Sequence, residues 1–362
     1  MRRKQLSVEL HSAGNLLAAN ATCTRAYATT RLRELPLKIT VFGCGSIGSR
    51  HAKNISKIGG HDLWLYDTIL TNAEKLSDET GGKIATTIEE AFDASPDAVL
   101  VCTPPDTHTE IARQALESGA HCFIEKPLAV EYGAAREITE LAEQRGLVCM
   151  VGFNLRFHPG LVKIHQLIVE GSLGRIMMIR AEYGQYLPDW RPGSDYRNNY
   201  IANKSRGGGI IREESHEVDY VQWLAGPIED IYVAAGQLSD LELEPEDSAI
   251  MIMRLTSGAL AEVHVDCVQR GYSRKCKVIG TEGTAEWVYE TGVTVTHAAG
   301  DVESIDISPE PNLMYFDEIS HFLKCCTGTA EVPVDGRSAL TTMAVIDSAH
   351  RSVISHKSEQ IL

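Results

Sequence analysis

The order of apolar and polar positions changes character once along the chain. From residue 37 onward, short apolar runs at 39–42, 63–66, 83–85, 98–102, 122–124 and 147–151 alternate with helix-compatible segments such as 46–57, 107–117 and 130–144. Runs of that length separated by helices predict βα units and a parallel, doubly wound sheet, which binds ligands at the C-terminal ends of its strands. After Gly152 the pattern predicts one helix over 160–170, a strand over 175–183 and a long polar and aromatic loop over 184–209. A helix beginning near Ser215 comes next, then strands in succession at 230–235, 248–255, 260–268, 273–279, 283–288 and 292–296. Ala261, Val263, Val265 and Cys267 alternate with Glu262, His264 and Asp266, the period of an antiparallel strand covered on one face. Helices at 313–325, with Leu313, Phe316, Ile319 and Leu323 assigned to its buried face, and at 338–351 complete the chain. The fold class is therefore α/β: a parallel doubly wound sheet, then an α+β domain with a large, mostly antiparallel open sheet. The expected segments are an extension over 1–36, the first domain over 37–152, the second over 153–335, and a C-terminal helix and tail over 336–362.

The first apolar run leads into Gly43-Cys44-Gly45-Ser46-Ile47-Gly48, with the G-x-G-x-x-G spacing. Gly43 allows a tight turn, Gly45 removes a side chain where a pyrophosphate must approach, and Gly48 lets helix and strand pack closely. The diphosphate then sits on the unpaired N–H groups of the helix N-terminus, around Ser46 and Ile47. Asp67 ends the second apolar run, nineteen residues after Gly48. There a carboxylate accepts hydrogen bonds from ribose hydroxyls and repels a 2′-phosphate, which favours NAD over NADP. A glycine triplet alone could be an ordinary turn; strand, helix and acid in this order mark a dinucleotide-binding Rossmann domain.

Composition narrows the class further. A length of 362 residues exceeds one compact core, and 43% apolar with 23% charged residues is that of a globular protein. No uninterrupted apolar run approaches the ~20 residues of a membrane span. A net charge of −15 argues against nucleic acid as a general partner. The nine cysteines are scattered, several within apolar runs, and form neither a C-x-x-C pair nor a zinc-spaced cluster, so reduced core thiols and no structural metal are expected. Residues 1–36 carry six Lys/Arg against Glu9 and Glu34. That composition fits an organelle presequence or a disordered extension, and the expected location is cytoplasmic or, through this segment, organellar.

Two stretches carry candidate chemistry. Glu125-Lys126-Pro127 closes a strand expected beside the cofactor, and proline restricts Lys126 toward extended geometry, so the ammonium projects into the cleft. There it can hydrogen-bond a substrate hydroxyl and stabilise a developing alkoxide; alone, the tripeptide could equally be a surface pair before a turn. The second stretch runs from Gly207-Gly208-Gly209 through Arg212-Glu213-Glu214-Ser215-His216-Glu217 to Asp219. The glycines permit close backbone approach, and Ser215 could cap a helix whose first turn carries His216. Histidine suits removal of a hydroxyl proton near neutral pH, and Asp219, three residues on, could orient the ring.

Taken together these residues resemble the Gfo/Idh/MocA family, named for glucose-fructose oxidoreductase and inositol 2-dehydrogenase, over essentially all of residues 37–362. The matching pieces, in order, are the glycine motif with His51, Thr103-Pro104-Pro105 with His108, Glu125-Lys126-Pro127, residues 152–159, and the glycine-histidine segment. The resemblance implies a Rossmann domain followed by an α/β domain whose open sheet mediates homodimers or homotetramers. It also implies NAD(P)-dependent oxidation or reduction at a carbinol carbon of a sugar, amino sugar or cyclitol. By position, Lys126 and His216 are the family's catalytic lysine and histidine, with Thr103, Pro104, His108 and Glu125 near the cofactor. Asn154, Arg156, Trp190 and Arg191 would contact substrate.

One departure stands out. Many members place an aspartate four residues before the histidine, in D-x-G-x-H, where this chain has Arg212. Glu213 stands in if the turn is one residue shorter, resembling a variant with Gly-Gly-Gly followed by D-L-S-H-E. The leading expectation is an NAD-dependent sugar or cyclitol oxidoreductase with Lys126, His216 and Glu213 at its centre. The alternatives are an NAD(H)-binding regulator or scaffold without catalysis, and an enzyme resembling the members that act on dihydrodiols or tetrapyrroles. Trp190, Arg191 and Arg197 lean toward a polar substrate, with an anionic one as an option.

Overall fold

The structure is a computed structural model that describes residues 36–307 and 310–361. The extension expected over 1–36, and with it the presequence reading, lies outside the described residues except for Pro36.

Six strands form the first sheet: β1 (Lys38–Phe42), β2 (Asp62–Tyr66), β3 (Lys83–Ile84), β4 (Ala98–Val101), β5 (His121–Glu125) and β6 (Cys149–Gly152). All pairings are parallel, in the order β3-β2-β1-β4-β5-β6. The helices between them are α1 (Ser46–Ile58), α2 (Leu70–Thr80), α3 (Ile88–Asp93), α4 (His108–Glu117) and α5 (Tyr132–Arg145). Every residue of β4 is buried, as its unbroken apolar run requires when both sheet faces are covered. Strand order reverses between β1 and β4, so the turn after β1 and the loop after β4 flank the crevice where such sheets bind ligands.

The second sheet has nine strands in the order β14-β13-β12-β11-β7-β10-β9-β8-β15. They are β7 (Ile176–Gly184), β8 (Ile228–Gly236), β9 (Ser248–Leu255), β10 (Leu260–Asp266), β11 (Ser273–Gly280), β12 (Gly283–Val288), β13 (Gly292–His297), β14 (Val302–Asp306) and β15 (Glu359–Gln360). Only β7 and β10 pair in parallel. The period-two reading of 261–267 holds for Ala261, Val263, Val265 and Cys267, all buried, although the strand stops at Asp266. On β9, Ala249, Met251 and Met253 face the core while Ile250, Ile252 and Arg254 are exposed. The remaining helices are α6 (Pro159–Val169), α7 (Ile210–Glu213), α8 (Ser215–Ala225), α9 (Leu313–Cys326) and α10 (Gly336–Ser355). Helix α10 packs on β8 of this sheet and on α5 and β6 of the other, joining the two layers. The sheet's other face carries a groove of about 230 Å³ edged by Arg180, Glu182, Glu262, His264, Lys275 and Lys277. Among the described residues no helix is long and apolar enough to cross a membrane.

Several elements depart from the expected pattern. Strands β14 and β15 and the one-turn helix α7 were not anticipated. The first is a largely exposed edge strand and the other two are very short, so none carries a periodic apolar face. Helix α9 is rotated relative to the expected face: Leu313 is exposed and Phe316 half-buried, whereas Met314, Glu318, Phe322 and Cys325 point inward with Ile319 and Leu323. The inward stripe contains a glutamate, and a carboxylate at a core position breaks the apolar periodicity from which the face is read.

Candidate active site

The glycine turn between β1 and α1 separates into two functions. Gly43 has φ +89°, and a Cβ there would lie 2.6 Å from the Cys102 carbonyl oxygen; at Gly48 a Cβ would lie 1.8 Å from the Gly43 oxygen. Both are demanded by the chain's own packing. A Cβ at Gly45 would meet nothing within 4 Å. The space over Gly45 is therefore open, beside an α1 N-terminus without a side-chain cap. Asp67 stands at the end of β2, where Oδ2 accepts the Cys44 N–H at 2.7 Å and Oδ1 the Ile69 N–H at 2.8 Å. An open helix N-terminus, a cleared approach and a carboxylate on the adjoining strand fit a dinucleotide.

At the ends of β4 and β5 the structure uses several singled-out residues internally. His108 is buried, with Nε2 2.8 Å from the Thr103 carbonyl oxygen and Nδ1 2.9 Å from that of Pro127, so the ring ties the two strand ends together. Burial holds its pKa down, against the two carbonyls. Thr103 Oγ1 accepts from Thr107, which also donates to the Pro104 oxygen. Glu125 is buried and lies 2.6 Å from His51 Nε2; a side chain at Gly152 would press on its carboxyl from 3.1 Å. The pairing explains why His51 follows the glycine motif at that spacing.

Lys126, the next residue, reaches across the cleft. Its Nζ donates to the Glu213 carbonyl oxygen at 2.7 Å and pairs with Glu213 Oε1 at 3.0 Å, while Glu213 Oε2 accepts a hydrogen bond from the Tyr200 hydroxyl. Burial would raise the Glu213 carboxyl, but the Lys126 charge, the Tyr200 and Lys126 hydrogen bonds and the charge of Arg191 leave it below its ordinary value. For Lys126, burial is outweighed by Glu213 and Glu214, and its pKa is raised. Glu213 thus meets the lysine even though Arg212 occupies the family's usual aspartate position. Arg212 itself keeps a buried Nε without a hydrogen-bond partner.

Helix α7 ends at Glu213 and α8 starts at Ser215, so Glu213 and His216 stand on either side of a break at Glu214. His216 is 8% exposed, meets the Phe153 ring edge-on at 5.6 Å and has its Nδ1 buried without a partner. Burial, then the charges of Lys126 and Arg274, depress its pKa well below the ordinary histidine value, so the imidazole is neutral. Behind it Arg274 of β11 contacts Glu214 and lies 2.9 Å from Glu217 Oε1, without hydrogen-bond alignment to the latter. Burial, opposed by Arg274 and reinforced by Glu214, pushes the Glu217 carboxyl up to about 8.

Several expectations are corrected here. Asp219 does not orient His216: its two oxygens take Arg156 Nε at 2.8 Å and Nη2 at 2.6 Å. Arg156 also donates to the Pro333 oxygen and Ser338, so its guanidinium is engaged within the fold. Ser215 does not cap α8, because the cap position is Glu214 and the Ser215 hydroxyl is buried without a partner. The close backbone approach expected of the glycines is found at Gly208, which faces the carbonyls of Tyr200, Ile201 and Asn203, whereas Gly207 faces the side chains of Val130 and Pro105, and Gly209 that of Glu246. Arg197 is paired with Asp195 at 2.8 Å and Glu242 at 3.0 Å. Trp190 donates to the Gln185 oxygen and leans on Tyr183, Asn154 is buried in the turn Asn154–Phe157, and Arg191 is exposed with its charge reaching Glu213. The sequence does not single out Tyr200 or Arg274: Arg274 lies sixty residues from Glu214, and Tyr200, though only thirteen from Glu213, sits in an irregular loop without a motif.

The comparisons agree with this architecture. Residues 37–153 match the model of an oxidoreductase family with an NAD-binding Rossmann fold, and residues 161–286 match the GFO/IDH/MocA C-terminal domain. An inositol 2-dehydrogenase of Paracoccus denitrificans is 30% identical over 327 residues, spanning 85% of this chain and 92% of that protein. One of Rhizobium meliloti is 28% identical over 341 residues, spanning 88% and 97%. Levoglucosan dehydrogenase in complex with NADH and levoglucosan has the same fold, with TM-score 0.83 at 19% identity over 90% of this chain and 99% of that one. With both sheets, the glycine turn and the two matched domains in sequence, this chain belongs to the Gfo/Idh/MocA family of NAD-binding Rossmann-fold oxidoreductases.

Proposed function

We propose that this protein is an NAD-dependent dehydrogenase of a sugar, sugar derivative or cyclitol, with Lys126 and His216 handling the reacting hydroxyl. The observation that carries this reading is the clamped ammonium: Lys126 Nζ, at the C-terminal end of the strand beside the switch point, is held by Glu213, and a neutral His216 lies within reach of its charge. Bound NAD supplies the hydride acceptor. The open α1 N-terminus and Gly45 would receive its diphosphate, and Asp67 the adenosine ribose hydroxyls. Lys126 polarises the substrate oxygen and stabilises the alkoxide as it forms; the uncharged imidazole takes the hydroxyl proton. Burial limits water around both groups and strengthens their electrostatic effect on the oxygen.

The substrate class rests on the inositol 2-dehydrogenases that align over nearly their full length, and on a cleft whose contributing side chains are polar and aromatic. Exposed Arg191 favours a substrate bearing negative charge or many hydroxyls. The pairing of Glu213 with Lys126 supports a working enzyme over a binding-only regulator, since a carboxylate is present where the family needs one. We also read the open sheet face as the seat of a second copy, giving a homodimer or homotetramer. Eight free thiols among the described residues, seven of them buried, fit a reducing compartment such as the cytoplasm.

Lys126→Ala tests the reading directly. NADH formation with a panel of cyclitols and sugars should fall by roughly 10²–10³-fold in kcat, the range seen when a charge-stabilising donor is removed. Unchanged turnover would remove Lys126 from the mechanism.

A further inference from the structure

The carboxylate that clamps Lys126 is itself clamped. Glu213 has one more rotatable bond than the aspartate common in the family, and an untethered carboxylate of that length would sample several rotamers. Here Oε1 takes Lys126 at 3.0 Å and Oε2 takes the Tyr200 hydroxyl, so both ends of the carboxylate are occupied. Tyr200 is positioned in turn by close packing. A Cβ at Gly208 would lie 2.4 Å from the Ile201 oxygen, 2.5 Å from that of Tyr200 and 2.7 Å from that of Asn203, so only glycine lets the Tyr200 turn rest on the segment leading into α7. The Gly208 N–H donates to the Asn203 oxygen at 3.0 Å and the Gly209 N–H to the Ile201 oxygen at 3.2 Å, closing that contact. Arg206, paired with Asp106 at 3.3 Å, ties the same loop to the segment following β4.

We propose that Tyr200 is a positioning residue for Lys126: its hydroxyl locks the Glu213 carboxylate in the one rotamer that aims the ammonium at the reacting oxygen. The inference rests on the reading of Lys126 as the group that polarises the substrate. It assigns the tyrosine no contact with substrate. The charged and titratable groups facing Glu213 are Lys126, Tyr200, Arg191, Glu214 and Tyr183. Burial, reinforced by Glu213, pushes the Tyr200 phenol well above its ordinary value, so it remains a donor throughout the working pH range.

Tyr200→Phe removes one hydroxyl and leaves the ring. Its effect can be read without knowing the substrate, by competitive labelling of Lys126 with acetic anhydride across pH in the full chain, followed by mass spectrometry. Glu213 raises the Lys126 pKa, so loosening the carboxylate lowers it. The expected result is about tenfold faster labelling at fixed pH, with NADH affinity within about twofold of wild type, because residues 43–67 are untouched. Glu213→Asp, whose carboxylate is too short to span both partners, should produce the same acceleration, and Tyr200→Phe added to it should do nothing more. Wild-type labelling of Lys126 in Tyr200→Phe or in Glu213→Asp would overturn the proposal, as would additive effects in the double variant. On an active substrate, kcat of Tyr200→Phe should drop about tenfold with little change in KM. Full turnover by Lys126→Ala is a separate outcome that strikes the functional reading, whereas unaltered Lys126 labelling strikes only the role of Tyr200.

Discussion

At Asp67 a single carboxylate joins the fold to the proposed cofactor choice. Its oxygens hold the N–H groups of Cys44 and Ile69, which fixes its orientation at the end of β2 beside the glycine turn. A negative group held there disfavours a phosphate on the ribose 2′ position, and removing it also frees the Cys44 N–H. Asp67→Ala should therefore weaken NADH binding and, more tellingly, lower the ratio of NADPH to NADH dissociation constants by about tenfold or more in fluorescence titrations. An unchanged ratio would detach Asp67 from cofactor discrimination. The glycine turn is legible in the sequence because its conformation depends on near neighbours, and Asp67 is marked there only by its place at the end of an apolar run. Asp219 departs from its expected role for the opposite reason. Helical spacing put it on the His216 face, but Arg156, sixty-three residues earlier, supplies a bidentate partner that no local rule anticipates.

At the scale of elements, α9 shows how a buried charge misleads periodicity and what it does to stability. Glu318 is fully buried, both carboxyl oxygens lack partners, and burial together with the charge of Glu125 raises its pKa well above the ordinary 4.5. The sign of the linkage follows. Between pH 4.5 and the raised native value, the folded protein keeps a proton that the unfolded chain has released, so stability falls as pH rises. Glu318→Gln abolishes that slope. Thermal melts of the variant should be less pH-dependent from pH 5 upward, with a higher Tm than wild type at pH 8; an equally steep decline would mean that Glu318 is not the proton-holding group. Strands that alternate or run apolar without break are legible in the sequence, whereas β14 and β15 are not, because pairing alone creates them.

The whole molecule presents one covered and one open face of the nine-stranded sheet. Ile250 and Ile252 on β9 and Tyr232 on β8 are exposed there, beside ion pairs such as Arg180–Glu262 and Lys277–Glu286. Tyr232 and Ile252 stand opposite each other in register across β8 and β9, an exposed apolar surface that association would bury. Sedimentation velocity should show a species larger than 39.7 kDa, and Ile252→Lys should shift it toward that mass. A monomeric wild type would refute the reading of this face.

By itself the sequence determined the two sheet types and the glycine turn that opens the first helix, which follow from periodicity and glycine conformation, both properties of short segments. It marks Asp67 as a candidate for the ribose, and Lys126 and His216 as candidates for the chemistry through the family resemblance. Only the tertiary structure decided who holds whom: Glu213 on Lys126, Tyr200 on Glu213, Arg156 on Asp219, His51 on Glu125, His108 between two strand ends. Each of those contacts joins residues brought together by the packing of separate elements. Hydrogen bonds and ion pairs depend on ångström-scale placement, which sequence separation does not encode.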